Sequence, residues 1–102
     1  MEPKSKEVAV WLRDDYARAI VGAAPANNPS RWAVHGIIGE DAGLGFWLRA
    51  NIIQEFRPIT NGTKRITWRS TSTELLIRWD AVLTIQVFEG SGDEIGFKPV
   101  AQ

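Results

Sequence analysis

Few residues in this chain combine the type and the spacing that catalysis requires. The single histidine, His35, has no companion ligands at metal-binding spacing, so the sequence predicts no metal site. The acidic pairs are adjacent in sequence, and adjacent residues on a strand point to opposite faces, which is poor geometry for shared acid–base work. These pairs are Asp14-Asp15, Glu40-Asp41 and Asp93-Glu94. We therefore predict a non-enzymatic protein with no catalytic residue, no metal and no cofactor. The weaker alternative is a small-molecule site with His35 or Asp41 at the rim of a barrel.

The glycine-rich segment Gly36–Gly45 has the composition of either a phosphate-binding loop or a tight turn. Its glycines, at positions 36, 39, 43 and 45, match neither the Walker loop nor the dinucleotide-binding fingerprint, and no helix pattern follows them. Side chains alternate through Arg31–Gly39, and Phe46–Ile53 has the pattern of a return strand. The segment is therefore predicted to contain the turn of a β-hairpin, at Glu40–Gly45.

Further strands are predicted in the second half of the chain. Asn61-Gly62 is the dipeptide best suited to a type I′ turn. Leu75–Trp79 and Val82–Phe88 are two apolar strands joined by a very short connection. Residues 89–102 are rich in glycine and are predicted to be a loop or a frayed tail. The strands of the domain therefore lie within residues 31–88.

The N-terminal region allows two structures. Apolar residues recur every four positions from Val8 to Ile20, which is the period of an amphipathic helix, and we predict a helix over residues 5–22. Val8, Val10 and Leu12 also alternate as they would on a strand, and this alternative stays open. The Pro- and Asn-rich residues 23–30 are predicted to be a loop. Residues 1–102 have the length of a single domain.

Composition and charge narrow the class of partner. Twelve basic and twelve acidic side chains give a net charge of zero, so no overall positive field attracts nucleic acid or an anionic membrane. The absence of cysteine fits a reducing compartment. Met1–Lys6 is short and charged, and no apolar segment of signal-peptide length follows it. We expect a cytoplasmic protein with no membrane and no DNA partner, in which any RNA binding is local.

Two stretches have nearly the spacing of known motifs, with one residue fewer between Gly36 and Asp41 in the first. The first comprises Gly36, Ile38, Asp41, Gly45 and Leu48, and the second comprises Ile77, Arg78, Trp79, Val82 and Ile85. They resemble the two motifs of the Sm and Hfq proteins, which are small RNA-associated barrels that assemble into rings. The resemblance covers about half of the chain. It departs from the family at Gly45, where the family has a base-contacting asparagine, and at Trp79, where the family has glycine.

The resemblance implies a fold and a site. The fold is mainly β, a small, strongly bent antiparallel barrel of the Sm-like or SH3-like type, with an N-terminal helix. It implies a homo-oligomer, assembled into a ring through the edge strands 75–79 and 82–88. Only Asp41 and Arg78 carry over from the motifs, and a turn-capping role is the alternative for Asp41. The tryptophan rings are suited to stacking on RNA bases. The expected ligand-binding residues are Asp41, Trp47, Arg78 and Trp79, with Arg49 and Arg69 as further phosphate contacts.

Two functions therefore remain open at the level of sequence. The first is a non-enzymatic, oligomeric binding module for RNA. The alternative is a protein-interaction or structural accessory protein, such as a subunit carried by a phage or a mobile element, without nucleic-acid binding. The neutral charge balance favours packing roles for the tryptophans over base stacking.

Overall fold

The computed structural model describes residues 7–69 and 72–88. Its elements are β1 (Glu7–Leu12), α1 (Asp14–Val21), β2 (Arg31–Asp41), β3 (Gly45–Ile59), β4 (Gly62–Arg69), β5 (Thr73–Arg78), a 3-10 turn (Trp79–Ala81) and β6 (Val82–Phe88). The mainly β class is confirmed, with one helix. The tail predicted at 89–102 lies outside the described residues.

The strands form one antiparallel sheet in the order β4-β3-β2-β1-β6, and β5 also pairs with β3. Strand β3 is fifteen residues long, so its first half can pair with β5 and its second half with β4. The expected closure into a barrel is not seen: among the described residues β5 and β6 have no hydrogen-bonded pairing with each other, although only the 3-10 turn separates them.

The helix predicted over residues 5–22 is wrong for residues 7–12, which form β1. This strand lies between β2 and β6 and pairs with both. Val8, Val10 and Leu12 are buried together on the inner face of the sheet, so the period of two prevails over the period of four. The helix is limited to Asp14–Val21, and Gly22 ends it in the left-handed conformation, with φ of 77°.

The predicted hairpin is confirmed between β2 and β3. Gly43 adopts a φ of 84° in the turn, a conformation that favours glycine. Asp41 caps the same turn, because its Oδ1 accepts a hydrogen bond from the Gly43 N–H at 2.9 Å.

Two other glycines let β3 pass close to its neighbours. A Cβ on Gly36 would lie 2.2 Å from the carbonyl oxygen of Arg49, and a Cβ on Gly45 would lie 2.2 Å from that of Ile77. The inner face of the bent sheet encloses the core. Its largest fully buried apolar side chains are Trp32, Phe46, Leu12, Leu48 and Ile77.

Candidate functional site

The four residues predicted to bind a ligand come from two distant stretches, and the fold brings those stretches to one corner of the sheet. Asp41 lies opposite Phe46 in the β2–β3 register, and Gly45 lies opposite Arg78 in the β3–β5 register. The backbone N–H of Trp79 donates to the carbonyl oxygen of Leu44 at 2.9 Å. The two motif-like segments are therefore neighbours in space.

The cations of this corner already have carboxylate partners. Arg78 Nη2 lies 3.0 Å from Asp80 Oδ2, and this hydrogen bond raises the pKa of Arg78. Arg49 Nε lies 3.2 Å from Glu74 Oε2. A phosphate would have to compete with these carboxylates, so the corner is weak as an RNA site. Arg69 ends β4, and its side chain lies outside the described part of the chain.

The two tryptophans predicted for the site contribute apolar surface. The Trp79 ring packs on the Phe46 ring with centroids 4.6 Å apart and keeps about half of its surface exposed. Trp47 lies on the outer face of β3, directly across from Leu76 on β5. Both side chains of this pair are more than two-fifths exposed. This arrangement suits contact with another apolar surface.

A buried polar cluster, which the sequence did not predict, joins α1 to the sheet. Its centre is Glu55, whose side chain is 0% exposed. Ser30 Oγ donates to Glu55 Oε2 at 2.6 Å, and Trp68 Nε1 donates to Oε1 at 3.0 Å. Arg57 binds both carboxylate oxygens, at 3.0 and 3.1 Å. Every buried side-chain polar atom among the described residues has a partner, so this cluster holds structure and leaves no group free for a substrate.

The same cluster continues to the helix through a second carboxylate. Arg18 lies 2.9 Å from Asp14 Oδ1, and the Nε1 of Trp32 donates to that oxygen at 2.8 Å. Burial alone would raise the pKa of Asp14 and of Glu55, but the hydrogen bonds that each carboxylate accepts outweigh it, and both pKa values are lowered. Both groups therefore stay ionised inside the protein.

A second surface, also missed at the sequence level, lies on the outer face of strands β1 to β4. Arg31, Phe56 and Arg65 are direct neighbours across β2, β3 and β4. The Trp11 ring lies 5.6 Å from the Phe56 ring, and the Arg31 guanidinium lies 5.0 Å from the centroid of the Trp11 ring. We call these four residues the basic-aromatic face.

The basic-aromatic face differs from the corner in its charge. Within residues 7–69 and 72–88, neither Arg31 nor Arg65 forms an ion pair with a carboxylate. Gln54 and Thr67 are neighbours on the same face of β3 and β4. A cleft of about 540 Å³ adjoins Trp11 and Arg31. No carboxylate of the described residues therefore neutralises the positive charge on this surface.

His35 lies on this outer face too, where its ring stacks beside Phe88 at 6.4 Å. Burial lowers its pKa, and a hydrogen bond with Gln54 opposes that effect only in part. A cavity of about 280 Å³ lies beside it. Among the described residues no group of three or more potential ligands could hold a metal ion.

Comparisons with protein-family models, with curated proteins and with solved structures find no match to this chain. The resemblance to Sm and Hfq proteins therefore stays a prediction. In the described part of the chain, no helix is long and apolar enough to cross a membrane.

Proposed function

We propose that this chain is a non-enzymatic module that binds single-stranded RNA across the basic-aromatic face. The observation that carries the proposal is the row Arg31–Phe56–Arg65, in register across three strands and packed against Trp11. Its two cations lack carboxylate partners in the described chain.

The chemistry of the face suits an unpaired strand. Bases of single-stranded RNA stack on aromatic rings and on arginine guanidinium planes. Phe56 and Trp11 supply the rings, and the Arg31 guanidinium, already stacked on Trp11, offers a further plane and a positive charge for a phosphate. Arg65 is exposed at the other end of the row and can reach a phosphate. Gln54 and Thr67 add hydrogen-bonding groups in the adjacent row of the same face.

The proposal moves the RNA contact away from the corner predicted from the motifs. At that corner Gly45 has no side chain, and Arg78 is held by Asp80. Self-assembly through the edge strands 75–79 and 82–88 stays a prediction. Among the described residues the strand pairing of β6 is with β1, which places β6 at the end of the sheet, and the end strands of sheets favour association.

The decisive measurement is fluorescence anisotropy with short labelled U-rich and A-rich RNA strands. We expect Arg65→Ala and Arg31→Ala each to weaken binding by roughly five- to tenfold, because each removes a charge-assisted phosphate contact. Lys64→Ala is the matched control: Lys64 is exposed beside Arg65 but faces the other side of β4. It should leave the affinity unchanged.

Salt dependence provides a second readout. Two phosphate contacts with a single strand predict a slope of about −1.4 in log K against log salt, and Arg65→Ala should halve it. If Arg78→Ala weakens binding and Arg65→Ala does not, the RNA lies at the corner instead. If the wild-type protein binds neither RNA, the proposal is wrong.

The second candidate is a protein-interaction module without nucleic-acid binding. The exposed pair Trp47 and Leu76 favours it. It predicts association that persists at high salt, because burial of apolar surface does not release counterions.

A further inference from the structure

A patch on the outer face of β3 and β5 has an unusual order of apolar and charged side chains. At its centre Trp47 and Leu76 are cross-strand neighbours, 42% and 43% exposed. At one end Arg49 lies opposite Glu74, and the two side chains form an ion pair of 3.2 Å. At the other end is Arg78, opposite Gly45. We call the surface formed by these five side chains the outer patch: Trp47, Leu76, Arg49, Glu74 and Arg78.

The outer patch lies apart from the basic-aromatic face. It uses the first half of β3 and strand β5, whereas Phe56 and Arg65 lie on the second half of β3 and on β4. Its cations alternate with Glu74 and with Asp80, the partner of Arg78. A surface of mixed charge does not attract a polyanion such as RNA. We therefore expect the partner of the outer patch to differ from that of the basic-aromatic face.

We propose that the outer patch binds a second copy of the same patch, and that the chain forms a face-to-face dimer with two-fold symmetry. In an isologous contact each residue meets its own symmetry counterpart or a fixed partner, so the patch must be complementary to itself. The arrangement of Arg49, Glu74 and Arg78 around Trp47 and Leu76 meets this condition.

The condition holds for either two-fold axis that lies in the plane of the patch. An axis perpendicular to the strands places Glu74 over Arg78 of the second copy, with Trp47 on Trp47 and Leu76 on Leu76. An axis parallel to the strands places Glu74 over Arg49 of the second copy, with Trp47 on Leu76. Opposite charges meet in both cases, and the apolar centre is covered in both.

The contact also accounts for the exposure of a large aromatic side chain. Tryptophan is enriched at the centres of interfaces, where surrounding polar groups exclude water. Here Trp47 is the centre, and the charged residues form the rim. Leu44, 77% exposed, lies in the turn next to the Arg78 end and adds apolar surface there.

The test is sedimentation equilibrium of the full chain over a wide range of protein concentration. We expect a monomer–dimer equilibrium in which Trp47→Ser raises the dissociation constant at least about tenfold, as for a central interface residue. Leu83→Ser is the matched control, because Leu83 is 64% exposed on β6, outside the outer patch. It should leave the equilibrium unchanged.

Two further variants keep the test decisive. Leu76→Ser should weaken the dimer as Trp47→Ser does, and circular dichroism shows whether each variant remains folded. Glu74→Arg should weaken the dimer under either symmetry axis, because it places the new arginine over Arg78 of the second copy in one case and over Arg49 in the other. The proposal is overturned if the wild-type chain is a monomer at all concentrations, if Leu83→Ser is the variant that dissociates the assembly, or if Glu74→Arg and Trp47→Ser leave it intact. RNA binding is measured separately, so either proposal can fail without the other.

Discussion

The guanidinium of Arg18 on α1 and the carboxylate of Glu55 on β3 lie 3.5 Å apart, and both side chains are buried. Ser30 bridges them, since Arg18 Nη2 donates to its Oγ and that Oγ donates to Glu55. The helix also packs on the core through Tyr16, Ala17, Ile20 and Val21. The buried polar cluster adds a polar attachment of α1 and of the loop at 22–30 to the sheet.

Removal of the central carboxylate should destabilise the fold strongly. Glu55→Ala leaves the buried donors of Arg18, Ser30 and Trp68 without their acceptor, and the loss of one partner from a buried charge pair costs roughly 3–5 kcal/mol. We expect a decrease of that size in the free energy of unfolding, measured in urea. Glu74→Ala, at an exposed ion pair, is the control and should change it by less than about 0.5 kcal/mol. Equal effects at the two positions would show that the cluster does not hold the fold.

Stability should fall in acid because of the same cluster. The pKa values of Asp14 and Glu55 are lowered by folding from ordinary values of 3.8 and 4.5. A carboxyl group of this kind contributes stability that is fully present above its unfolded pKa and is lost as the pH falls through its folded pKa. Urea unfolding between pH 7 and pH 2 should therefore show a loss that begins near pH 5 and steepens below pH 4.

The variant Glu55→Gln tests whether Glu55 contributes to this loss of stability in acid. Glu55→Gln removes one of the two titrating groups and retains the shape of the side chain, so its curve should be lower at pH 7 and flatter in acid than that of the wild type. If the two curves run parallel, other carboxyl groups cause the acid transition.

The glycine at position 45 should resist substitution by any larger residue. A Cβ there would lie 2.2 Å from the Ile77 carbonyl oxygen, which is backbone and cannot turn aside. We expect Gly45→Ala to lower the free energy of unfolding by about 1–3 kcal/mol, as overpacking does, and Gly45→Asn to do at least as much. Gly39→Ala, in the same hairpin, would place its Cβ 3.2 Å from the Trp47 carbonyl oxygen and should cost much less. Thermal unfolding of the three variants measures this, and a tolerated asparagine at 45 would contradict it.

Local patterns in the sequence were enough for the hairpins and most of the strands. Alternation through Arg31–Gly39 predicted β2, and the glycines after it predicted the turn that Gly43 and Asp41 form. These features depend on neighbours in sequence, so no tertiary contact was needed to infer them. The reversal predicted at Asn61-Gly62 is confirmed, since β4 begins at Gly62. The predicted type I′ geometry is wrong, because that turn needs a positive φ at both central residues and Asn61 does not adopt one.

The N-terminal segment shows where local pattern was insufficient. Residues 7–12 satisfy both a period of four and a period of two, and only pairing with β2 on one side and β6 on the other makes the strand the stable form. The residue types could not decide it, because the strand partners lie at least twenty residues away for β2 and at least seventy for β6.

For the candidate sites, too, the sequence determined some features and the tertiary structure determined others. The sequence by itself determined a single mainly β chain of zero net charge, with tryptophans and arginines as the side chains available for binding. The tertiary structure alone decided which arginines are neutralised, by pairing Arg78 with Asp80 and Arg49 with Glu74 and leaving Arg31 and Arg65 without carboxylate partners among the described residues. It also decided that Glu55, one acid among twelve, is buried. Charge pairing and burial depend on which strands become neighbours, and a one-dimensional pattern does not contain that information.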